Sequence, residues 1–257
     1  MEIDRALAAL LASPKYRGVY PGAVERVFSE QFRRHGPKGA DKAARAELHR
    51  ITGAFLSSNE LKKARTLLEL AKSSGEDVLT QVLTLHASSR ERIPDMAWLY
   101  GRALPALGDP RTILDLACGL NPLYLGSLGL KVRGIELQSD AARLVNDWAK
   151  AFGWDVRVEP GDLAGDSSLP EADATLLMKL LPLMDKQMAG GGKALLERVR
   201  SKKALVTFPT RTLSGRNVGM QTHYETSFEQ NLPADASILD KFATSNELCY
   251  VLELTGR

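Results

Sequence analysis

The chain has 257 residues, of which 44% are apolar and 25% are charged, and its formal net charge is +3. This length suits one large domain or two modest ones, and without a run of about 18 apolar residues or a signal-like N-terminus we expect neither a membrane-spanning helix nor secretion. The two cysteines, Cys118 and Cys249, lack metal-ligand spacing, so we expect a reduced, cytoplasmic protein without a metal centre.

The first 84 residues carry apolar side chains at helical spacing and show no strand pattern. They predict four or five short helices, separated at Pro14, at Gly36-Pro-Lys-Gly39, at Ser57-Ser58 and at Gly75. Residues 15–72 hold 13 Lys and Arg residues against 6 Asp and Glu residues. These basic side chains either face solvent on the outer surfaces of the helices or bind a polyanion, and the pattern alone leaves both interpretations open.

The segment Leu85-His-Ala-Ser-Ser-Arg-Glu-Arg92 leads into another helical pattern that continues to Tyr100. Ser88 or Ser89 is a candidate for the residue that caps this helix. One interpretation of the segment is a capped helix start with an exposed charged turn. The alternative makes Arg92 the partner of a ligand carboxylate, because a guanidinium group can grip a carboxylate with two hydrogen bonds.

A strand–turn–helix pattern occupies Thr112-Ile-Leu-Asp-Leu-Ala-Cys-Gly-Leu-Asn-Pro-Leu123. Its apolar run predicts a buried strand, Gly119 permits a sharp turn, and Pro122 suits the first turn of a helix. Glu136 follows Asp115 by 21 residues, at the end of a second apolar run. This spacing is typical of a carboxylate that binds ribose hydroxyls, so the pattern favours a nucleotide-type ligand over an ordinary βα unit.

From Thr112 onward, predicted strands alternate with predicted helices. The strands are expected near residues 112–117, 131–136, 154–159, 173–178, 203–208, 236–242 and 247–254, and the helices near 122–129, 139–152, 182–199 and 220–230. This order predicts a mainly parallel sheet with helices on both faces, in which ligands bind at the carboxyl ends of the strands. The positions at those ends are Ala117–Gly119, Glu136, Asp162 and Lys179.

Three of the segments that follow predicted strands carry polar residues that are candidates for ligand contacts. Asp162 stands in a turn, where it either stabilises the turn or accepts a hydrogen bond from an adenine amino group. Lys179 either extends its charge to solvent or faces the cleft. The long loop from Phe208 to Gly219 contains Arg211 and Arg216, which are candidates for phosphate contacts.

Together these stretches resemble the aminoglycoside-resistance 16S ribosomal RNA (guanine-N7) methyltransferases. The resemblance runs from Ala12-Ser-Pro-Lys-Tyr16 to Glu247-Leu-Cys-Tyr250 and is strongest at Leu85–Arg92, Leu114–Pro122, Lys179-Leu-Leu-Pro-Leu183 and Phe208-Pro-Thr-Arg211. It implies an α/β fold of the Rossmann-like class I methyltransferase type, with a mainly parallel seven-stranded sheet preceded by an all-helical N-terminal domain. It also implies a basic, ribosome-binding domain at residues 1–84 and a domain that binds S-adenosyl-L-methionine at residues 85–257.

The resemblance further implies which residues form the cofactor site. Those expected to bind the cofactor are Phe55, His86, Ser88, Arg92, Ala117, Gly119, Glu136, Asp162, Leu163, Met178 and Gln187. Arg92 is assigned to the methionine carboxylate, Glu136 to the ribose, and Asp162 with Leu163 and Met178 to the adenine. Three positions depart from the family pattern: Glu136 stands where aspartate is common, Phe55 where tyrosine is expected, and Asp185 where glutamate is usual.

The implied target is N7 of a guanine in the decoding-site helix of 16S rRNA, within the assembled 30S subunit. N7 carries a lone pair and no proton, so the transfer needs no general base and depends on positioning and charge. Lys179, Asp185 and Arg211 are the catalytic candidates, expected nearest the base. The residues expected to bind RNA are Lys15, Arg17, Arg45, Arg50, Lys62, Lys63, Arg65, Arg211 and Arg216. We expect a monomer that does not bind membranes.

Three other functions remain open on sequence grounds. A dinucleotide-dependent oxidoreductase is disfavoured because the turn Cys118-Gly-Leu-Asn-Pro122 lacks the G-x-G-x-x-G pattern that cradles a pyrophosphate. A non-catalytic RNA-binding protein with a methyltransferase shell is disfavoured by the intact Asp115, Glu136 and Asp162. A related methyltransferase that acts on another base atom is compatible with every motif.

Overall fold

The computed structural model describes residues 2–165, 169–210 and 220–255. The N-terminal part of the chain is helical. Its helices are α1 (Glu2–Leu11), α2 (Pro21–Ile51), α3 (Ser58–Ser74), α4 (Leu79–Leu83), α5 (Ala87–Arg92) and α6 (Met96–Ala106). Among the described residues, no helix combines the length and the apolar character needed to cross a membrane. The all-helical N-terminal region is therefore confirmed.

The remainder of the described chain forms one seven-stranded sheet in the order β3-β2-β1-β4-β5-β7-β6. The strands are β1 (Thr112–Leu116), β2 (Lys131–Glu136), β3 (Val156–Pro160), β4 (Ala174–Met178), β5 (Lys203–Pro209), β6 (Ala236–Ala243) and β7 (Glu247–Leu254). Pairing is parallel from β3 through β5, and β7 pairs antiparallel with both β5 and β6. The accompanying helices are α7 (Asn121–Ser127), α8 (Ser139–Phe152), α9 (Leu181–Gln187), α10 (Gly191–Arg198) and α11 (Met220–Gln230). The strand order reverses beside β1, so its carboxyl end is the expected ligand position.

Three local predictions need correction. The predicted break at Gly36–Gly39 is confirmed at Gly36, whose backbone is non-helical (φ 65°), but it is shorter than predicted, because Pro37 suits the first turn of a helical segment that begins at once. The single helix predicted at 182–199 is wrong, because Gly190 adopts a left-handed conformation (φ 74°) and separates α9 from α10. The predicted serine cap is also wrong: His86 precedes α5 without a side-chain cap, and Ser88 lies inside the helix.

The hydrophobic packing divides the helical region into two parts. Buried residues of α1 and α2, including Leu10, Val24 and Leu48, form a core of their own. Buried residues of α3 and α4, including Leu61 and Val82, instead belong to the core under one face of the sheet. Packing thus joins α3 and α4 to the sheet, whereas the proposed division of the chain at residue 84 stays a prediction.

The loop after β2 is held by the helical region that precedes it. The side-chain amide of Gln138 donates to Leu56 O (2.7 Å) and accepts from Leu56 N (2.9 Å). Tyr20 N donates to Leu137 O, and Ser139 N donates to Gly18 O, each at 2.8 Å. These contacts place segments from both ends of α2 directly against the carboxyl edge of the sheet.

Candidate active site

The cleft at the carboxyl end of β1 begins with a tight turn. Ala117 and Gly119 have positive φ angles of 52° and 51°. A non-glycine residue in this conformation is strained, and such strain is frequent at ligand-binding turns. A Cβ atom on Gly119 would lie 2.8 Å from Cε1 of His86, so glycine lets this imidazole pack on the backbone. The turn therefore presents bare backbone and an exposed Ala117 side chain to the cleft.

Glu136 ends the neighbouring strand β2 and faces the same turn. Its Oε2 atom accepts a hydrogen bond from Gly119 N (2.9 Å), and its Oε1 atom accepts one from Gln138 N (2.8 Å). Burial raises the pKa of this carboxyl, and the backbone N–H donors oppose the rise. A carboxylate has about four acceptor positions, so Glu136 retains capacity for a ligand hydroxyl. This geometry suits the ribose-binding role predicted for it.

A buried polar network lies beneath the turn. Asp115 is fully buried and accepts a hydrogen bond from Asn121 Nδ2 (2.7 Å), while Asn121 Oδ1 accepts one from the Tyr100 hydroxyl (2.8 Å). Burial raises the pKa of Asp115 to about 7. Burial, aided by the nearby Arg92, also lowers the pKa of His86 to about 4, so its imidazole is neutral at pH 7.

Two buried atoms of this region lack a hydrogen-bond partner among the described residues: Nδ1 of His86 and Oδ1 of Asp115. Most buried polar atoms in proteins are satisfied, so an orphaned pair beside a strand-end turn indicates a place for an additional polar molecule. The tight Gly119 backbone and these two atoms fit a small polar nucleoside ligand whose groups reach the floor of the cleft.

The guanidinium group of Arg92 is held by the protein itself. Its Nε atom donates to Glu247 Oε1 (2.8 Å), and its Nη atoms contact Asn121 Oδ1 and Ser88 Oγ, each at 3.4 Å. The side chains of Arg92 and Glu247 are only 3% and 0% exposed. Burial disfavours the charge on Glu247, but Arg92 and Lys179 lower its pKa. A ligand carboxylate would therefore share Arg92 with Glu247.

Glu247 is a site residue that the sequence analysis missed. Glu247 is the first residue of β7 and is acidic, whereas the other residues of this strand are mostly buried and apolar. Its second oxygen accepts a hydrogen bond from the Thr207 hydroxyl (2.6 Å), and Lys179 Nζ lies 3.6 Å from the first. An isolated carboxylate at the start of a buried strand was the available signal, because such a group needs a cationic partner.

Two of the predicted cofactor-binding residues, Asp162 and Gln187, are connected by an arginine that was not among the predicted site residues. Arg26, from α2, donates to both carboxylate oxygens of Asp162, with Nε–Oδ2 at 2.6 Å and Nη2–Oδ1 at 3.3 Å. The same Nη2 atom lies 3.4 Å from Gln187 Oε1. Leu163 is buried beside Asp162. The structure thus brings Asp162 and Gln187 together through a residue of the helical region.

The catalytic candidates lie in different settings. Lys179 has a positive φ angle (56°), and its Nζ atom donates to Glu91 Oε2 (2.7 Å), so its charge is held at the cleft. Asp185 is exposed, and its Oδ1 atom accepts from Gly192 N (2.9 Å) in the first turn of α10. Met178 is half-buried at the end of β4, and Phe55 packs beside the core of α1 and α2. Arg211 and Arg216 lie outside the described residues.

The predicted RNA-binding residues that the structure describes lie on the helical region. Lys15, Arg17, Lys62, Lys63 and Arg65 are exposed. Arg45 is paired with Asp41 at 2.9 Å, and Arg50 is paired with Glu47 on the same helix. Tyr16 OH donates to Arg45 O (3.1 Å), which brings the Lys15–Arg17 segment against α2. Exposed ion pairs of this type are weak and leave the arginines available to a stronger anion.

Comparison with known proteins identifies the family. The family model "Ribosomal RNA methyltransferase (FmrO)" matches residues 12–251. The chain is 37% identical to the 16S rRNA (guanine(1405)-N(7))-methyltransferase of Serratia marcescens, over 100% of both chains. It is 33% identical to the protein of the same name from Micromonospora echinospora, over 98% of this chain and 96% of that one. The crystal structure of 16S rRNA methyltransferase RmtF in complex with S-adenosyl-L-homocysteine matches with a TM-score of 0.90 at 47% identity, covering 99% of this chain and 98% of that chain. The chain therefore belongs to the FmrO family of ribosomal RNA methyltransferases.

Proposed function

We propose that this protein transfers a methyl group from S-adenosyl-L-methionine to N7 of guanine 1405 of 16S rRNA, and that it thereby confers aminoglycoside resistance. The observation that carries the proposal is the full-length similarity to relatives that are named for this reaction. The strand-end cleft supports it, because Gly119, Glu136 and the two orphaned polar atoms suit a compact nucleoside. The absence of a G-x-G-x-x-G turn disfavours a dinucleotide.

Different residues around the cleft bind different parts of the cofactor. Glu136 receives ribose hydroxyls, and Asp162 with Leu163 holds the adenine, against which Met178 packs. Arg92 receives the methionine carboxylate while it stays paired with Glu247, and Ser88, which already contacts the guanidinium, lies beside it. His86, Ala117 and Gly119 line the turn, and Phe55 and Gln187 close the two ends of the site. The neutral His86 adds no charge that would repel a cationic sulfonium.

When bound, S-adenosyl-L-methionine would supply an electrophilic methyl group that the N7 lone pair can accept. The protein needs no general base, so its contribution is alignment and electrostatics. The carboxylate of Asp185 favours the positive charge that moves onto the purine, and Arg211, which lies outside the described residues, stays a candidate for contact with the phosphate or the base. Lys179, fixed by Glu91, keeps a defined position instead of acting as a mobile base.

The helical region selects the RNA. N7 lies in the deep, narrow groove of A-form RNA, so the helix must be distorted or the base flipped before transfer. Exposed cations on α2 and α3, and on the segment before α2, bind phosphates of the assembled 30S subunit and supply free energy for that distortion. One copy of the chain contains every residue assigned here, so we propose that it acts as a monomer.

The direct test is transfer of labelled methyl groups to purified 30S subunits, followed by mapping of the modified nucleotide. We expect N7-methylguanine at position 1405 in 30S subunits and much less methylation of protein-free 16S rRNA. Expression in a sensitive bacterium should raise the inhibitory concentration of aminoglycosides that bind the decoding site. Methylation at another atom would support the related-methyltransferase alternative, and no transfer at all would support a non-catalytic RNA-binding protein.

Two charge reversals at exposed lysines test whether the chain docks on the 30S subunit through α3. Lys63→Glu alters an exposed cation of α3, whereas Lys131→Glu alters an exposed cation at the start of β2, on the opposite edge of the sheet from the cleft. Lys63→Glu should weaken 30S binding several-fold and make it less dependent on salt, since it removes one phosphate contact. Equal effects of the two substitutions would remove the support for docking through α3.

A further inference from the structure

We propose that Arg26 is a positioning residue for the cofactor: from α2 it fixes the Asp162 carboxylate so that one oxygen accepts a hydrogen bond from the adenine amino group. This inference rests on the proposed function, because it concerns the same cofactor site. It assigns the helical region a part in cofactor recognition in addition to RNA docking.

The contact is long-range and well shielded from solvent. The Arg26 side chain is 20% exposed and that of Asp162 is 9% exposed, although the residues are 136 positions apart in sequence. Arg26 is itself steadied by Glu30, one turn later on α2, through an ion pair of 3.1 Å. A shielded, two-point contact between a guanidinium group and a carboxylate fixes the orientation of both groups.

The hydrogen bonds leave one oxygen of Asp162 with spare capacity. Oδ1 accepts from Arg26 Nη2 (3.3 Å) and from Ala164 N (3.1 Å), which uses its two lone pairs. Oδ2 accepts only from Arg26 Nε (2.6 Å) among the described residues, so one acceptor position remains on it. An exocyclic amino group supplies the single donor that this position requires.

The same arginine sets the direction of the Gln187 amide. Arg26 Nη2 lies 3.4 Å from Gln187 Oε1, so the amide oxygen turns towards Arg26 and its Nε2 donor is left for another partner. Without Arg26, Asp162 would keep only the Ala164 N–H among these donors and would be free to rotate. The site would then lose its preference for an amino group over a group that only accepts hydrogen bonds.

The test compares two ligands that differ along the C6–N1 edge of the purine. S-adenosylhomocysteine carries an amino group at C6 and an acceptor at N1, whereas S-inosylhomocysteine carries a carbonyl oxygen at C6, which an Asp162 acceptor repels, and an N–H group at N1. Their affinities are measured by calorimetry for the full chain, for Arg26→Met and for Arg34→Met. Arg34 is exposed on the same helix and is the matched control. Thermal unfolding of each variant checks that the fold is retained.

The wild-type chain and the Arg34→Met variant should both prefer S-adenosylhomocysteine by about tenfold or more, as expected of a site built to bind a donor. Arg26→Met should weaken S-adenosylhomocysteine about tenfold and leave S-inosylhomocysteine nearly unchanged, so that the preference is lost. In methylation assays the same variant should raise KM for the methyl donor and largely preserve kcat.

Three results would overturn the positioning role: equal weakening of both ligands, unchanged binding in Arg26→Met, or tighter binding, which would make Arg26 an obstruction. A wild-type chain that binds S-adenosylhomocysteine without a preference for the amino group would overturn it as well. A wild-type chain that binds neither ligand would instead refute the proposed function. The two failures are therefore distinguishable in one set of titrations.

Discussion

The buried ion pair between Arg92 and Glu247 offers the sharpest test of how the cleft is supported. We consider Glu247→Gln, which removes the charge but preserves the shape of the side chain and one oxygen for the Thr207 hydroxyl. Among the described residues, Arg92 would then keep two 3.4 Å contacts to neutral oxygens, although it is 3% exposed. Lys179 would keep Glu91, so the uncompensated charge would fall on Arg92.

Removing one partner of a buried ion pair typically costs about 3–5 kcal/mol, because the remaining charge has no water to replace it. We therefore expect the free energy of unfolding to fall by roughly this amount. For a chain of this size the equivalent drop in Tm is roughly 6–20 °C. Urea denaturation followed by circular dichroism at pH 7.5 measures the first quantity, and a thermal scan measures the second.

Two controls isolate the buried charge. Asp240→Asn breaks the exposed pair between Arg102 and Asp240, whose two hydrogen bonds are both 2.9 Å, and should change stability far less. The double variant Arg92→Met/Glu247→Gln removes the orphaned cation and should recover part of the loss, which a double-mutant cycle quantifies. A loss in Glu247→Gln no larger than in Asp240→Asn would refute the reasoning.

The remaining predictions concern three other positions. Asp185→Asn retains the acceptor for Gly192 N but loses the charge, so turnover on 30S subunits should fall at least about tenfold with S-adenosylhomocysteine affinity intact; unchanged turnover would reject a role for the carboxylate. Gly119→Ala should cost about 1–3 kcal/mol and weaken cofactor binding, because the new Cβ meets His86. The control is Gly75→Ala, where φ is a similar 69° and the new Cβ has no atom of the described residues within 4 Å; equal stability losses in the two variants would argue against the His86 contact. Burial raises the pKa of Asp115 from 3.8 to about 7, so its contribution to stability is present below about pH 4 and is lost as the pH rises to 7. Relative to the wild type, Asp115→Asn should therefore gain roughly 4 kcal/mol of stability between pH 4 and pH 8 in urea titrations, and a constant difference would contradict the buried carboxyl.

The sheet and its ligand turn were predictable because they depend on local pattern. Apolar runs separated by turn residues predicted all seven strands, and the fold implied by the resemblance is confirmed by the sheet order and by the match to RmtF. Gly119 was predictable as a turn residue because few residues other than glycine tolerate its φ angle. The position of Glu136 beside that turn followed from strand pairing, since β1 and β2 are parallel neighbours.

The contacts that support the site were not predictable in the same way. Arg26 looks like any cation on the solvated face of a basic helix, and nothing in its sequence neighbourhood indicates a partner 136 residues away. Glu247 and Arg92 are 155 residues apart, and their pairing requires the packing of α5 against the strand end. The serine cap failed for a related reason: His86 enters the cleft, and this tertiary contact outweighs the local capping preference of Ser88.

Residues of the helical region contact the cofactor cleft, so experiments on RNA docking have to be designed to leave cofactor binding intact. Deletion of residues 1–80 would remove exposed cations, but also Arg26 at Asp162 and the Leu56 backbone that holds Gln138 beside Glu136. Lost methylation in such a truncation would therefore report on both sites at once. Point variants separate them, because Lys63→Glu alters an exposed cation, while Arg26→Met alters the contacts of Arg26 with Asp162, Glu30 and Gln187. If docking on the 30S subunit shifts the first segment of α2, cofactor affinity must change by the same factor as subunit affinity changes on cofactor binding. Titration of S-adenosylhomocysteine with and without 30S subunits measures that coupling directly.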